Sequence, residues 1–193
     1  MFLVCVAMIC FAANSLINRA ALLSQSIDPV SLAFIRLLSG VLFLTLLVCK
    51  SRPYQQGSWH AAFALVVYIA GFSLAYVSLT AATGALLLFA AVQVTMIGWG
   101  TFQGERLSRR QVAGLILACA GVSLLLLPYS STPSTQSALL MVIAGIAWGI
   151  YSILGKNSTN HLLSTAGNFI RAVPFAIVLP IIFHDTVSQS GLG

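Results

Sequence analysis

Of the 193 residues, 59% are hydrophobic and only 6% charged, and the mean hydropathy is +1.00. A soluble domain of this size could not hide so much apolar surface from water, so the composition is that of an integral membrane protein. The formal charge of +6 does not point to nucleic acid, because the basic residues fall singly or in short clusters at the ends of apolar runs.

Met1 to Asn18 is apolar, lacks a positively charged start and is followed by no clean A-x-A cleavage site. It therefore reads as a first spanning helix and not as a signal peptide. Asp28-Pro29 offers an N-cap and a proline at the first helical position, which predicts a second helix running to Cys49 with Lys50 and Arg52 at its end. Ser58 caps a third helix reaching about Thr80, and the link that follows is so short that helices three and four must be antiparallel neighbours.

The stretch from Ala81 to Pro128 fixes the topology. Two apolar segments, each long enough to cross a bilayer, flank a short turn holding Glu105, Arg106, Arg109 and Arg110. Helix four ends near Phe102. Ser108 and Gln111 have capping-box spacing before helix five, which stops at Pro128. Tyr129 to Gln136 reads as a loop. A sixth helix is expected from about Ser137 to Gly155 and a seventh from about Ser164 to Phe183.

With the N-terminus in the cytoplasm, the inner loops and helix ends carry Lys50, Arg52, Arg106, Arg109, Arg110 and Lys156, and the outer ones only Arg19. That bias is the positive-inside pattern of a multi-pass inner-membrane protein. The expected fold class is thus an all-α membrane protein with seven transmembrane helices.

The first two helices recur as the sixth and seventh. When Phe11 to Arg19 is set above Trp148 to Lys156, Ser15 meets Ser152 and Arg19 meets Lys156; after a two-residue deletion Phe34-Ile35-Arg36 lies on Phe169-Ile170-Arg171. The alternative is chance similarity among apolar segments, but polar positions carry the match. An odd number of spans separates the copies, so the second is inserted upside down, the inverted-repeat architecture of secondary transporters. On that reading the second copy lacks about three helices, and the chain is expected to be truncated.

The run from Thr80 to Leu127, with its Gly104-Glu105-Arg106-Leu107-Ser108 turn and glycine-rich fifth helix, the arginine of helix two, and Trp148-Gly149-Ile150-Tyr151-Ser152 opening the second copy, resembles EamA-type members of the drug/metabolite transporter superfamily. The resemblance implies ten helices in two inverted five-helix repeats and export of amino acids or related metabolites. It divides the chain into a first repeat over 1–128, an outer loop over 129–136 and a partial second repeat over 137–193. The family often has a proline in the middle of helix four, where this chain has AAVQVTMIG, and Gln93 supplies a side-chain amide in place of the backbone carbonyl that a proline would free.

Arg36 is the sharpest candidate for work. A guanidinium in a spanning helix costs at least ~2.5 kcal/mol near the bilayer centre and is tolerated where it faces a cavity or a partner, of which a substrate carboxylate is one; the alternative is that it snorkels to the outer headgroups. Arg171 has the same two readings at the inner face, in a helix where Pro174 and Pro180 favour a kink. Asn14 and Asn18 share a helix face, and their amides need either a solute or a neighbouring helix. Tyr68, Phe72, Tyr76 and Thr80 form a stripe on helix three, and Trp148, Tyr151 and Ser152 cluster on helix six. Such stripes serve packing, or with Gln93 line a central cavity. Gly100-x-x-x-Gly104, Gly114-x-x-x-Ala118 and Gly145-x-x-x-Gly149 are read as flat strips for close helix approach.

Asp28, Glu105 and Asp185 all fall at helix ends or in loops, leaving no mid-membrane carboxylate for a proton relay, and His60, His161 and His184 are read as scattered in loops. Cys5, Cys10, Cys49 and Cys119 lie in apolar runs without metal-ligand spacing and are read as buried small hydrophobes. No enzyme, catalytic residue, cofactor or metal is expected. The expected function is alternating-access export of a small amino-acid-like or related metabolite through a cavity drawn from Asn14, Asn18, Arg36, Tyr76, Gln93, Trp148, Tyr151, Ser152 and Arg171. The competing expectation is a non-transporting remnant, or a half-module in the lipid bilayer that needs a second copy or another partner to complete the second repeat. Proton coupling would need a residue of the missing helices or the solute itself to carry the proton; exchange and facilitated flow are the other expectations.

Overall fold

The computed structural model describes residues 2–23, 27–48, 56–126 and 134–182, with side chains described throughout except at 119, 122–126 and 179–182. These residues form seven helices and no strand: α1 (Phe2–Leu23), α2 (Pro29–Leu47), α3 (Trp59–Ala75), α4 (Ala81–Phe102), α5 (Arg109–Leu126), α6 (Thr135–Gly155) and α7 (His161–Ile182). Among them α1, α2, α4 and α6 are long and apolar enough to cross a membrane, and α3 is a shorter apolar helix of 17 residues. A helix of 22 residues such as α4 spans roughly 33 Å at 1.5 Å per residue, enough for a hydrocarbon core of about 30 Å.

The helix starts follow from local chemistry. Asp28 Oδ2 accepts from the Ser31 N–H at 2.8 Å with Pro29 next in line, and Ser58 Oγ accepts from the Ala61 N–H at 3.1 Å. Ser108 and Gln111 close the capping box in both directions: the Ser108 N–H donates to Gln111 Oε1 at 2.8 Å and the Gln111 N–H donates to Ser108 Oγ at 3.3 Å. Each cap satisfies an amide that a helix end would otherwise leave bare.

Several boundaries differ from expectation. α1 continues past Asn18 to Leu23, and α3 stops at Ala75 instead of Thr80. α6 starts at Thr135, capped by Ser134, so the end of the expected loop is helical. α7 starts at His161, because Asn160 Oδ1 accepts from the Leu163 N–H at 3.1 Å, three residues earlier than Ser164. His60 and His161 accordingly lie in first helical turns and not in loops. Cys5 and Cys10 are exposed on α1, not buried, because that helix turns most of its surface outward. The expected positions of Lys50, Arg52, Pro128, Phe183, His184 and Asp185 fall outside the described residues.

The core gathers around α3, which packs against α2, α6 and α7, while α4 lies on α6 and receives α1 and α5. Leu37, Leu65, Phe72, Tyr76, Leu79 and Met141 are essentially without solvent contact. One of the three small-residue strips carries close packing: a Cβ at Gly145 would fall 2.6 Å from Ala91 Cβ and 2.7 Å from the Leu88 oxygen, and one at Gly149 would fall 2.8 Å from Thr95 Cβ. Gly114 faces open space, and Gly104 lies beyond the end of α4 with φ at +90°, where it turns the chain and does not extend a helical strip.

Candidate functional site

Arg36 stands two turns into α2, and its guanidinium is held inside the bundle by neutral groups. It donates to Ser73 Oγ on α3 and to Asn14 Oδ1 on α1, each at 3.2 Å. Its Cζ lies 4.8 Å from the centre of the Phe72 ring. The Tyr68 hydroxyl interacts with both Arg36 and Asn14. Among the described residues the one ion pair is Lys156 with Glu105 at 3.6 Å, well exposed on both sides, so no carboxylate answers the Arg36 charge.

Asn14, Arg36 and Tyr68 border a cavity of about 690 Å³ walled by α1, α2, α3, α6 and α7, with Phe11, Phe43, Trp148 and Phe169 supplying rings and Ser39 a further polar side chain. Phe11 meets Trp148 edge-on at 6.2 Å, and Tyr68 lies 4.7 Å from Trp148, which fixes the aromatic wall. Gly40 lets the Phe169 ring in, since a Cβ there would lie 2.4 Å from Phe169 Cε1. A concave space with mostly apolar walls and a few converging polar groups is the usual form of a small-molecule site.

Of the expected cavity residues, Asn14, Arg36 and Trp148 come together here. Asn18 is 2% exposed with an amide that bonds none of the described residues, and Tyr76 is wholly buried with its hydroxyl donating to the Ala81 oxygen at 3.3 Å. Gln93 is exposed and lines a separate crevice between α4 and α5. Tyr151 and Ser152 border a smaller polar pocket of about 260 Å³ between α6 and α7, although Tyr151 also stacks on Trp148 at 5.3 Å. Arg171 donates to the Gln56 and Gly167 oxygens and faces Trp59.

Ser73, Phe11, Phe43 and Phe169 were not singled out as site residues by the sequence, which offered Tyr68 only as part of the α3 stripe that packs or lines a cavity. Two further contacts bind α3 at its ends. Beside Arg171, Asn168 Oδ1 accepts from the Ser58 N–H at 2.8 Å, whereas Arg19 donates to the Tyr76 and Val77 oxygens at 2.7 and 2.9 Å. A cation at the carbonyl end of a helix is favourably placed. No group of three or more His, Cys, Asp or Glu side chains that could hold a metal occurs among the described residues.

An all-helical membrane protein with a cationic, aromatic-walled cavity between its helices belongs to the class of multi-pass membrane proteins with a solute-sized interior site. Comparison with known proteins narrows that class. The chain belongs to the EamA-like transporter family, whose signature matches residues 1–127. It is 47% identical over 196 residues to Uncharacterized protein PA1977 of Pseudomonas aeruginosa, covering all of this chain and 68% of that protein. It is 29% identical over 175 residues to an Uncharacterized transporter of Archaeoglobus fulgidus, covering 80% of this chain and 59% of that protein. No solved structure matches the chain significantly.

Proposed function

We propose that the chain is part of an inner-membrane permease that exports a small amino-acid-like or related metabolite by alternating access, and that the Arg36 cavity receives the solute. It works as a transporter and not as an enzyme, with the N-terminus and the Glu105–Lys156 end of the bundle in the cytoplasm. The inverted pairing of α1 and α2 with α6 and α7 supplies the two halves that rock about the site. The observation that carries the reading is the Arg36 guanidinium held among helices by Ser73, Asn14 and the Phe72 ring with no carboxylate partner among the described residues. A charge kept at such cost in a spanning helix marks a solute path.

A second reading is a module that transports only when a second copy or a partner supplies further helices. Efflux of radiolabelled amino acids and related acids from cells expressing the gene, with Arg36→Ala and Arg171→Ala compared at equal membrane abundance, tests both. The proposal predicts loss of efflux for Arg36→Ala. Unchanged efflux in both variants overturns it, and efflux restored only by co-expression of a partner selects the second reading.

A further inference from the structure

Resting on the reading of the Arg36 cavity as the solute site, and narrowing the solute from amino-acid-like compounds to related acids without an amino group, we propose that it selects monoanionic carboxylates with an apolar or aromatic body, such as aryl-substituted short acids, over zwitterions and amines of the same shape. The chemistry of the lining is lopsided. It offers a planar cation and three neutral polar side chains, Asn14, Ser39 and Tyr68, against a wall of Phe11, Phe43, Trp148 and Phe169. A guanidinium carries five N–H donors in a fork that matches a carboxylate, and the hydroxyl and amide already bonded to it leave donors over. A carboxylate entering the cavity would neutralise a charge that now has only neutral partners and a ring face.

Among the described residues nothing in the cavity does the same for an ammonium group. The chain has three acidic residues. Asp28 caps the start of α2, Glu105 pairs with Lys156 outside the cavity, and Asp185 lies outside the described residues. An ammonium would give up its water and meet a positive charge, and a buried charge without a counter-charge is strongly disfavoured. The wall rings offer some cation–π attraction, but Arg36, which rests on the Phe72 ring behind the wall, repels a second cation nearby. The space of about 690 Å³ is ample for a single aryl acid.

The test uses the full chain in lipid nanodiscs and four probes of one shape: 3-phenylpropanoate, phenylalanine, phenethylamine and 3-phenylpropanamide. Binding is read by quenching of tryptophan fluorescence and by equilibrium dialysis. 3-Phenylpropanoate is expected to bind at least about tenfold more tightly than phenylalanine and the amide, with phenethylamine weakest. Arg36→Met should lower its affinity to that of the amide, and Arg36→Lys should retain part of the preference because a point charge replaces the fork. Phenylalanine binding as tightly as 3-phenylpropanoate, with both lost in Arg36→Met, overturns the anion selectivity while leaving the solute site in place. Affinity for 3-phenylpropanoate unchanged in Arg36→Met overturns the site itself. Absence of 3-phenylpropanoate binding at millimolar concentration in the unmutated chain also overturns the proposal, and that result does not depend on any variant folding.

Discussion

Gly145→Ala isolates the close approach of α6 to α4. The added methyl would lie 2.6 Å from Ala91 Cβ and 2.7 Å from the Leu88 oxygen, whereas non-bonded carbons rest at about 3.5–4.0 Å. Because the Leu88 oxygen belongs to the backbone, no side-chain rotation relieves the contact, and the two helices must separate by roughly 1 Å. Overpacking of this kind costs about 1–3 kcal/mol, partly offset by the better helix propensity of alanine, worth up to about 1 kcal/mol. The expected net loss of about 1–2 kcal/mol corresponds to a Tm lower by roughly 3–6 °C in a chain of this size. Gly114→Ala is the matched control, since a Cβ at Gly114 meets nothing within 4 Å; it should leave Tm unchanged or raise it. Unfolding followed by intrinsic fluorescence in one detergent compares the two. Equal midpoints for Gly145→Ala and Gly114→Ala would refute the claim that this strip carries the α4–α6 contact.

Three further substitutions test other parts of the structure. Asn18→Leu replaces a buried amide that bonds none of the described residues by an apolar group of similar volume, and should be neutral or stabilise by up to about 2 kcal/mol; a lower Tm would mean that the amide has a partner in the folded chain. Gly57→Ala forces a side chain at φ of +88° and places a methyl 2.4 Å from Asn168 Oδ1, so the Ser58–Asn168 bond is lost at a total cost of about 2 kcal/mol; faster amide exchange in the first turn of α3 should report it, and unchanged exchange would count against it. At Asp28, burial pushes the carboxyl up, but hydrogen bonds from the Ser31 side chain and from the backbone of Ser31, Asp28 and Val30 together outweigh it and hold the group below its ordinary value. Its contribution is therefore fully present above the unfolded-state value of about 3.9 and fades as the pH falls through the lower folded value. Asp28→Asn keeps the cap and should flatten that acid limb of the Tm–pH curve, while a curve of unchanged slope would contradict the assignment.

The starts of α2, α3 and α5 were legible because an N-cap is a local device: Asp28, Ser58 and Ser108 bond amides three residues on. The end of α3 was not, because the carbonyls of Tyr76 and Val77 are taken by Arg19, 57 and 58 positions away. The start of α7 could have been read from Asn160, an ordinary N-cap residue. In the site, Arg36 and Asn14 stand out as rare polar groups in apolar helices. Which aromatics meet them was hidden, because a helix that is apolar all round gives no sign of its rotation about its own axis. Gln93 consequently faces α5, whereas Tyr68, on the same stripe as Tyr76, is the tyrosine that reaches Arg36.

The two-ended hold on α3 limits how that helix can move. At one end the grip comes from α7 through Asn168 and Arg171, at the other from α1 through Arg19. A piston-like slide along its axis would strip both grips together, whereas a pivot about either end would strip only the opposite one. A pendulum-like swing from one fastening thus breaks fewer of these end bonds than a slide does, and because Tyr68, Phe72 and Ser73 ride on α3, it would carry three of the groups around Arg36 toward or away from the guanidinium.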